Sequence, residues 1–192
     1  MQGFSRIAFT PAVKAAQTEH GSRTAYARAE RGGTQPDRLG DDEAAFIGER
    51  DSFYMASVGE SGWPYIQHRG GAPGFVHVLD DHTIAFADLR GNRQYISVGN
   101  VAGDDRVALI FVDYPHRARL KLLARARTVT RESDPTVFAR VAGELPAERV
   151  FVLAIEGLDW NCPQHITPRF SEREVRAIVQ PLLDRIAELE AR

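Results

Sequence analysis

A mainly β fold, a six- or seven-stranded antiparallel barrel with peripheral helices, is what this sequence predicts. Three observations carry it. Between Ser52 and Ile155 the chain repeats short runs rich in β-branched and aromatic residues, separated by glycine, proline, aspartate and asparagine. The stretches between them that read as helical are short. The tail carries one amphipathic pattern behind a capping box. Closing such a sheet into a barrel would hide the edges that open strands expose.

Taken in order, Thr10-Pro-Ala-Val-Lys-Ala-Ala-Gln offers a cap, a proline at the first helical position and alanines behind it, which predicts a short helix. Arg31-Gly-Gly-Thr-Gln-Pro-Asp reads as a loop. Residues 1–40 thus form an arm, expected to pack over the barrel or a partner subunit. Asp41-Asp-Glu-Ala-Ala-Phe-Ile-Gly places carboxylates at a helix start, where the dipole favours them. Ser52-Phe-Tyr-Met-Ala-Ser-Val is a strand, turned by Gly59-Glu-Ser-Gly into a second. Alternation then puts Tyr65, Gln67 and Arg69 on one face and Ile66 and His68 on the other.

Phe75-Val-His-Val-Leu and Thr83-Ile-Ala-Phe-Ala flank the turn Asp80-Asp-His as a second hairpin. Arg93-Gln-Tyr-Ile-Ser-Val-Gly-Asn-Val predicts a short helix beginning near Arg93, whose free amides would favour phosphate. Arg106 to Val112 reads as a central strand, and Asp113-Tyr-Pro-His-Arg as a turn. In the returning strand Leu120, Leu122 and Ala124 alternate with Lys121, Leu123 and Arg125. Thr136 to Ala142 suggests another short helix, and Val150 to Ile155 closes the sheet. Residues 41–170 make the barrel domain.

The segment 171–192 opens on Ser171-x-x-Glu174 and continues with Val175, Ile178, Val179, Leu182, Leu183, Ile186 and Leu189 on one face. That stripe needs a cover, either the chain's own barrel or a partner. Pro181 is expected to kink or interrupt the helix, because it removes an amide donor.

Composition narrows the function classes. With 43% hydrophobic and 26% charged residues the chain reads as globular, and 192 residues bury one substantial core. A net charge of -2 argues against a nucleic-acid footprint. No apolar run reaches the roughly 20 residues that span a bilayer, and the N-terminal apolar stretch is too short for a secretory signal, so a cytoplasmic location is expected. The single cysteine, Cys162, excludes an intrachain disulfide and a multi-cysteine zinc site. His77 and His82 lack ligand-like spacing, so no metal is expected. Cys162 itself reads as a packed thiol rather than a nucleophile.

Only Lys14 and Lys121 among the 24 basic residues are lysines, so arginine is informative only where other features converge on it. They converge between Gly62 and Arg127. Gln67-His68-Arg69 precedes Gly70-Gly71, Arg90-Gly-Asn92-Arg93-Gln94 follows a strand, and Arg117-Ala-Arg119-Leu-Lys121 opens another. Forked guanidinium donors beside glycine-exposed amides suit an anion with a flat aromatic body, such as flavin mononucleotide (FMN).

These segments, in this order and followed by Trp160-Asn-Cys-Pro-Gln-His-Ile, resemble the pyridoxamine 5′-phosphate oxidase-like family of FMN-binding split-barrel proteins, in its flavin-nucleotide-binding branch. The resemblance covers about residues 40 to 170. It implies an FMN-carrying homodimer with two sites, each built by both subunits. It further implies that Gln67, His68 and Arg69 contact the flavin from their strand, and that Arg90, Asn92, Arg93 and Gln94 stand where the family has a Ser-Arg-Lys-like phosphate clamp, with arginine here for lysine. Arg119, with Lys121 on the same strand face, falls beside the ring, and the segment holding Trp160, Gln164 and Arg169 reaches its edge across the dimer. Plainer alternatives stand beside these: a solvent-exposed polar strand end for Gln67 to Arg69, an exposed ion pair for Arg90 or Arg93, a solvated charge for Arg119 or Lys121, a core indole for Trp160.

The function implied is an FMN-dependent oxidoreductase acting on a small molecule, with no catalytic side chain evident. True pyridoxamine-phosphate oxidation is the narrower version. The family's Arg-x-His substrate motif is not reproduced, His165 and Arg169 being differently ordered. The alternatives are a non-catalytic flavin-binding or flavin-reservoir protein, and a split barrel that uses haem or a deazaflavin.

Overall fold

The computed structural model of the protein describes residues 2–30 and 35–191, so residues 31–34 of the expected arm loop lie outside the described residues. Seven strands form one sheet: β1 (Ser52–Val58), β2 (Pro64–Gly70), β3 (Val76–Asp80), β4 (Thr83–Leu89), β5 (Arg106–Asp113), β6 (Ala118–Val129) and β7 (Ala147–Trp160). Their spatial order is β2-β1-β5-β6-β7-β4-β3, with every neighbouring pair antiparallel.

The sheet rolls onto itself. Phe53 on β1 packs edge-on against Phe86 on β4, with ring centroids 5.2 Å apart, although three strands separate β1 from β4 in the sheet. Phe53 also stacks on Phe111 at 4.9 Å, and Phe86 on Phe151 at 5.1 Å, so four fully buried phenylalanines fill the interior. Burying such rings contributes on the order of 2 to 3 kcal/mol each, and their offset and edge-on geometry adds to that. The result is the split antiparallel barrel the sequence predicts. One detail differs: no ladder joins β2 to β3, so the barrel closes there through side chains and leaves an open seam.

Among the described residues, seven helices surround the sheet: α1 (Gln2–Ala8), α2 (Pro11–Glu19), α3 (Arg23–Ala29), α4 (Asp41–Gly48), α5 (Ile96–Gly103), α6 (Pro135–Ala142) and α7 (Glu172–Glu190). α6 covers the outer face of β4 and β7, where Phe138 and Val141 pack with Ala85, Val150 and Val152. Asp134 caps α6 by accepting from the Val137 amide at 3.1 Å. The outer face of β1 and β2 has no such cover, and Ile66 there is 65% exposed.

Thr10 caps α2 as its sequence suggests, accepting from the Val13 amide. α1 and α3 carry no comparable signal. α1 exists because of what it docks on. Asp37 accepts the amides of Gly3 at 3.0 Å, Phe4 at 2.9 Å and Leu158 of β7 at 3.1 Å, which joins the helix start to the barrel. The approach is too close for side chains: a Cβ on Gly3 would sit 2.2 Å from the Glu156 carbonyl oxygen, and one on Gly157 2.5 Å from the Phe4 Cα.

Two helices depart from expectation at their ends. α5 begins at Ile96 rather than near Arg93, because Arg93 and Tyr95 take left-handed conformations, with φ of 61° and 52°. α7 runs unbroken through Pro181. The helix is exposed at every residue after Glu174, so water can solvate the carbonyl that proline leaves without a donor. Ser171 and Glu174 form the anticipated capping box. Its apolar stripe is not covered by the chain's own barrel, with Ile178, Leu182, Leu183, Ile186 and Leu189 each at least half exposed. Among the described residues, no helix is long and apolar enough to cross a membrane.

Candidate functional site

At the open seam, where β2 faces the end of β4, there is a cleft of about 250 Å³. Alternation along β2 turns Tyr65, Gln67 and Arg69 into it, and Tyr65 donates its hydroxyl proton to the Gln67 side-chain oxygen. Arg69 crosses the seam. Its Nη1 donates to Asp88 at 2.9 Å, while the guanidinium lies 5.6 Å and 5.3 Å from the ring centroids of Phe86 and Phe151. Asp88 is 9% exposed and pairs in the ladder with Arg149 of β7, whose Nη1 stands 3.7 Å from its carboxylate. A carboxylate this buried is tolerated because guanidinium groups approach it from both sides of the seam.

The chain leaving β4 folds over the opening. Asn92 accepts from the Gln94 amide at 3.2 Å, a local turn. Arg93 Nε donates to the Tyr95 hydroxyl at 3.2 Å, which in turn donates to Glu148 at 3.3 Å, and the Arg149 guanidinium lies 4.9 Å from the centroid of the Tyr95 ring. Two non-glycine residues with positive φ in three positions cost on the order of 1 to 3 kcal/mol each, a strain held where contacts over-determine the backbone. Here the strain swings the first turn of α5 into the cleft, where Ile96, Ser97 and Val98 line it.

Three buried polar atoms here have no hydrogen-bond partner: Ser97 Oγ and Arg69 Nε, on residues that line the cleft, and Arg149 Nη1 beside them, 3.7 Å from the Asp88 carboxylate. Ser97 is only 4% exposed. A buried polar atom without a partner costs about 1 to 3 kcal/mol, and native interiors hold few. Two of the three are obligate donors and the third can donate. Together with Arg93 and the amides opening α5, they call for an acceptor-rich anion.

Of the residues that the sequence singles out, Gln67, Arg69, Asn92, Arg93 and Gln94 meet in this cleft. The others do not. His68 is on the outer face of β2, edge-on to Tyr54 with centroids 5.4 Å apart. Arg90 is exposed and does not line the cleft. Arg119 and Lys121 project from the outer face of β6. Lys121 pairs with Asp159 at 2.8 Å and sits over the Phe4 ring, while Arg119 Nε is buried without a partner. The Trp160 indole donates to Glu43 at 2.6 Å and lies edge-on to Phe46. Gln164 is exposed, and Arg169 lies over Tyr114 in a separate cleft.

Asp88, Tyr95, Ser97, Glu148 and Arg149 belong to the site but are not singled out by sequence reasoning. For Glu148 and Arg149 no local pattern existed to find, because only the β4–β7 ladder brings them beside Asp88. Ser97 had a signal, a small hydroxyl in the first turn of a helix that follows an arginine and glycine loop.

A sequence profile of the family Pyridoxamine 5′-phosphate oxidase matches residues 39–160, from the end of the arm to the end of β7. No curated protein matches the chain. Among solved structures, a candidate pyridoxamine 5′-phosphate oxidase from Lactobacillus delbrueckii is similar at 22% identity and a TM-score of 0.51, over 64% of this chain and 93% of that one. HupZ from Group A Streptococcus is similar at 14% identity and a TM-score of 0.52, over 69% of this chain and 99% of that one. At those identities the structures speak for the fold. The profile spans well over half of the chain, and the protein therefore belongs to the pyridoxamine 5′-phosphate oxidase family.

Proposed function

We propose that the seam cleft holds FMN by its phosphate, and that the protein is an FMN-dependent oxidoreductase acting on a small molecule. The observation that carries this reading is the pair of buried atoms without a hydrogen-bond partner, Ser97 Oγ and Arg69 Nε, on residues that line one cleft. A phosphate supplies several acceptor oxygens, and three arginines against two carboxylates leave the positive charge that attracts such an anion.

In this reading Arg93, Arg69 and Ser97 hold the phosphate with the first amides of α5, while Asp88 and Glu148 keep the guanidinium groups aimed. Gln67 and Gln94 offer amide groups alongside. The flavin, when bound, supplies the electron acceptor, and the chain's task is to orient it and keep water from its phosphate clamp. A flavin-reservoir role would use the same cleft without turnover. The absorption spectrum of the purified protein tests the cofactor: an oxidised-flavin spectrum with FMN released on denaturation is expected, and a haem Soret band in its place would refute it.

The proposal includes a homodimer. The α7 stripe is uncovered by its own chain, and so is the outer sheet face around Ile66 and Tyr54. Arg119, Lys121, Trp160, Gln164 and Arg169, all away from the seam cleft, would meet a flavin only through a second copy. Light scattering at low micromolar concentration should give twice the chain mass of 21.3 kDa. A stable monomer that still binds FMN would eliminate the shared site and leave the single-chain cleft.

A further inference from the structure

A second cleft, of about 590 Å³, lies where the end of α4, the β5–β6 turn and the start of α7 converge. Asp113 closes β5 and is 7% exposed. It accepts from the His116 amide at 3.0 Å and stands 3.1 Å from His116 Nδ1 through both carboxylate oxygens. On its other side it pairs with Arg50 at 2.6 Å. Burial pushes the Asp113 carboxyl up, but the His116 amide, the Arg50 guanidinium and the His116 ring outweigh it and hold the group below the ordinary carboxylate range. An ionised Asp113 can only accept, so Nδ1 carries a proton and Nε2 is the nitrogen left free of this pair. That side of the ring is open, the side chain being 80% exposed.

The other charges around this cleft sort by whether they are already committed. Arg50 is shared between Asp113 and Glu49, the latter at 2.9 Å. Glu174 is held by Ser171, from its amide at 2.7 Å and its hydroxyl at 2.8 Å. Asp51 accepts from Ser52. Arg169 lies over the Tyr114 ring, 5.0 Å from its centroid, and makes no ion pair among the described residues. Arg173 lines the cleft as well and makes no ion pair among the described residues. The uncommitted groups are therefore Arg169, Arg173 and His116 Nε2, two fixed cations and a ring nitrogen that donates once protonated.

We propose that this cleft is a second small-molecule site, which binds a ligand through an oxyanion held between Arg169 and His116, with Asp113 fixing the histidine tautomer. An anion at Nε2 favours the imidazolium. Binding then draws a proton from solvent onto Nε2, and affinity falls as pH rises. The charged groups that line the cleft with the ring are Glu49, Arg50 and Asp51 after α4, Asp113 at the end of β5, and Arg169, Arg173 and Glu174 around the start of α7. The proposal assigns Arg169 to this cleft rather than to a flavin in a second copy's seam, and otherwise does not depend on what fills the seam cleft.

The test is calorimetric titration of FMN-saturated protein with inorganic phosphate and, separately, with acetate, in buffers of different ionisation enthalpy near pH 7. His116 ring resonances are followed in parallel by NMR. They report the second cleft alone, while flavin absorbance reports the first, so failure of either reading is seen separately. Binding should be accompanied by proton uptake and by movement of the His116 signals. His116→Gln, a change at an exposed side chain, should weaken binding about tenfold and abolish the proton uptake; Arg169→Leu should weaken it to a similar degree. Preference for phosphate would assign a phosphate ester, and preference for acetate a carboxylate. The site is excluded if neither anion moves the His116 signals, or if both variants bind like the parent.

Discussion

Replacing Asp88 with alanine is expected to cost about 3 to 5 kcal/mol of stability, because it removes one charge of a buried network and strands the others. Arg69 loses its ion-pair partner across the seam and Arg149 loses its ladder neighbour, with both guanidinium groups mostly buried. For a chain of this size that loss corresponds to roughly 6 to 20 °C in Tm. FMN should recover more of the melting temperature in the variant than it adds to the parent, since its phosphate would pair the two stranded arginines. Thermal melts with and without FMN measure both effects. Equal FMN stabilisation in the two proteins would separate the Asp88 network from the cofactor site.

The second large effect is expected at Asp37. Its two oxygens serve three backbone amides, and without them α1 loses its anchor on β7. Asp37→Ala should destabilise the fold by about 3 kcal/mol or more, at about 1 to 3 kcal/mol for each donor left unsatisfied. Asparagine rescues poorly, because one oxygen becomes an NH₂ group facing amide donors. Burial pushes the Asp37 carboxyl up, but the amides of Gly3, Leu158 and Phe4 outweigh it and hold the group below its ordinary value. The stability it contributes is therefore complete above the unfolded carboxylate value of about 3.9 and is lost as pH falls through the lower folded value. Denaturant titrations at pH 7 and near pH 3 should show the gap between parent and variant narrowing on acidification. A gap that is constant with pH would mean that the charge on Asp37 plays no part in anchoring α1.

How much of this was legible in the sequence follows from the range of the interactions involved. All seven strands announce themselves through alternation and β-branched runs, since one face of each meets the phenylalanine core. The face assignment of Tyr65, Gln67 and Arg69 came from the same period of two. α4, α6 and α7 carry local caps. α1 was silent, because Asp37 and the Gly3–Gly157 contact that hold it lie far away in sequence. The start of α5 was misplaced by three residues, as nothing in Arg93-Gln-Tyr announces left-handed backbone at non-glycine positions. In the seam cleft the locally patterned part was readable, Gln67 and Arg69 on one strand face and Asn92 to Gln94 after β4, whereas His68 lies on the opposite face. Asp88, Glu148 and Arg149 needed the ladder that sets β7 against β4. The Asp113–His116 pair hid for the opposite reason: it sits within a turn of ordinary composition, and only its burial and the cleft beside it give the histidine an open nitrogen.

The central claim, that the seam cleft grips a flavin by its phosphate, is tested most directly by comparing FMN with riboflavin in a fluorescence titration of the same protein. The two ligands share the ring and ribityl chain and differ in the group that Ser97, Arg69, Arg93 and the α5 amides would hold. FMN should bind at least about thirtyfold more tightly, the equivalent of one or two charge-assisted hydrogen bonds at about 1.5 to 3 kcal/mol each. Ser97→Ala should narrow that ratio without changing riboflavin affinity. Equal affinities for the two ligands would contradict the claim.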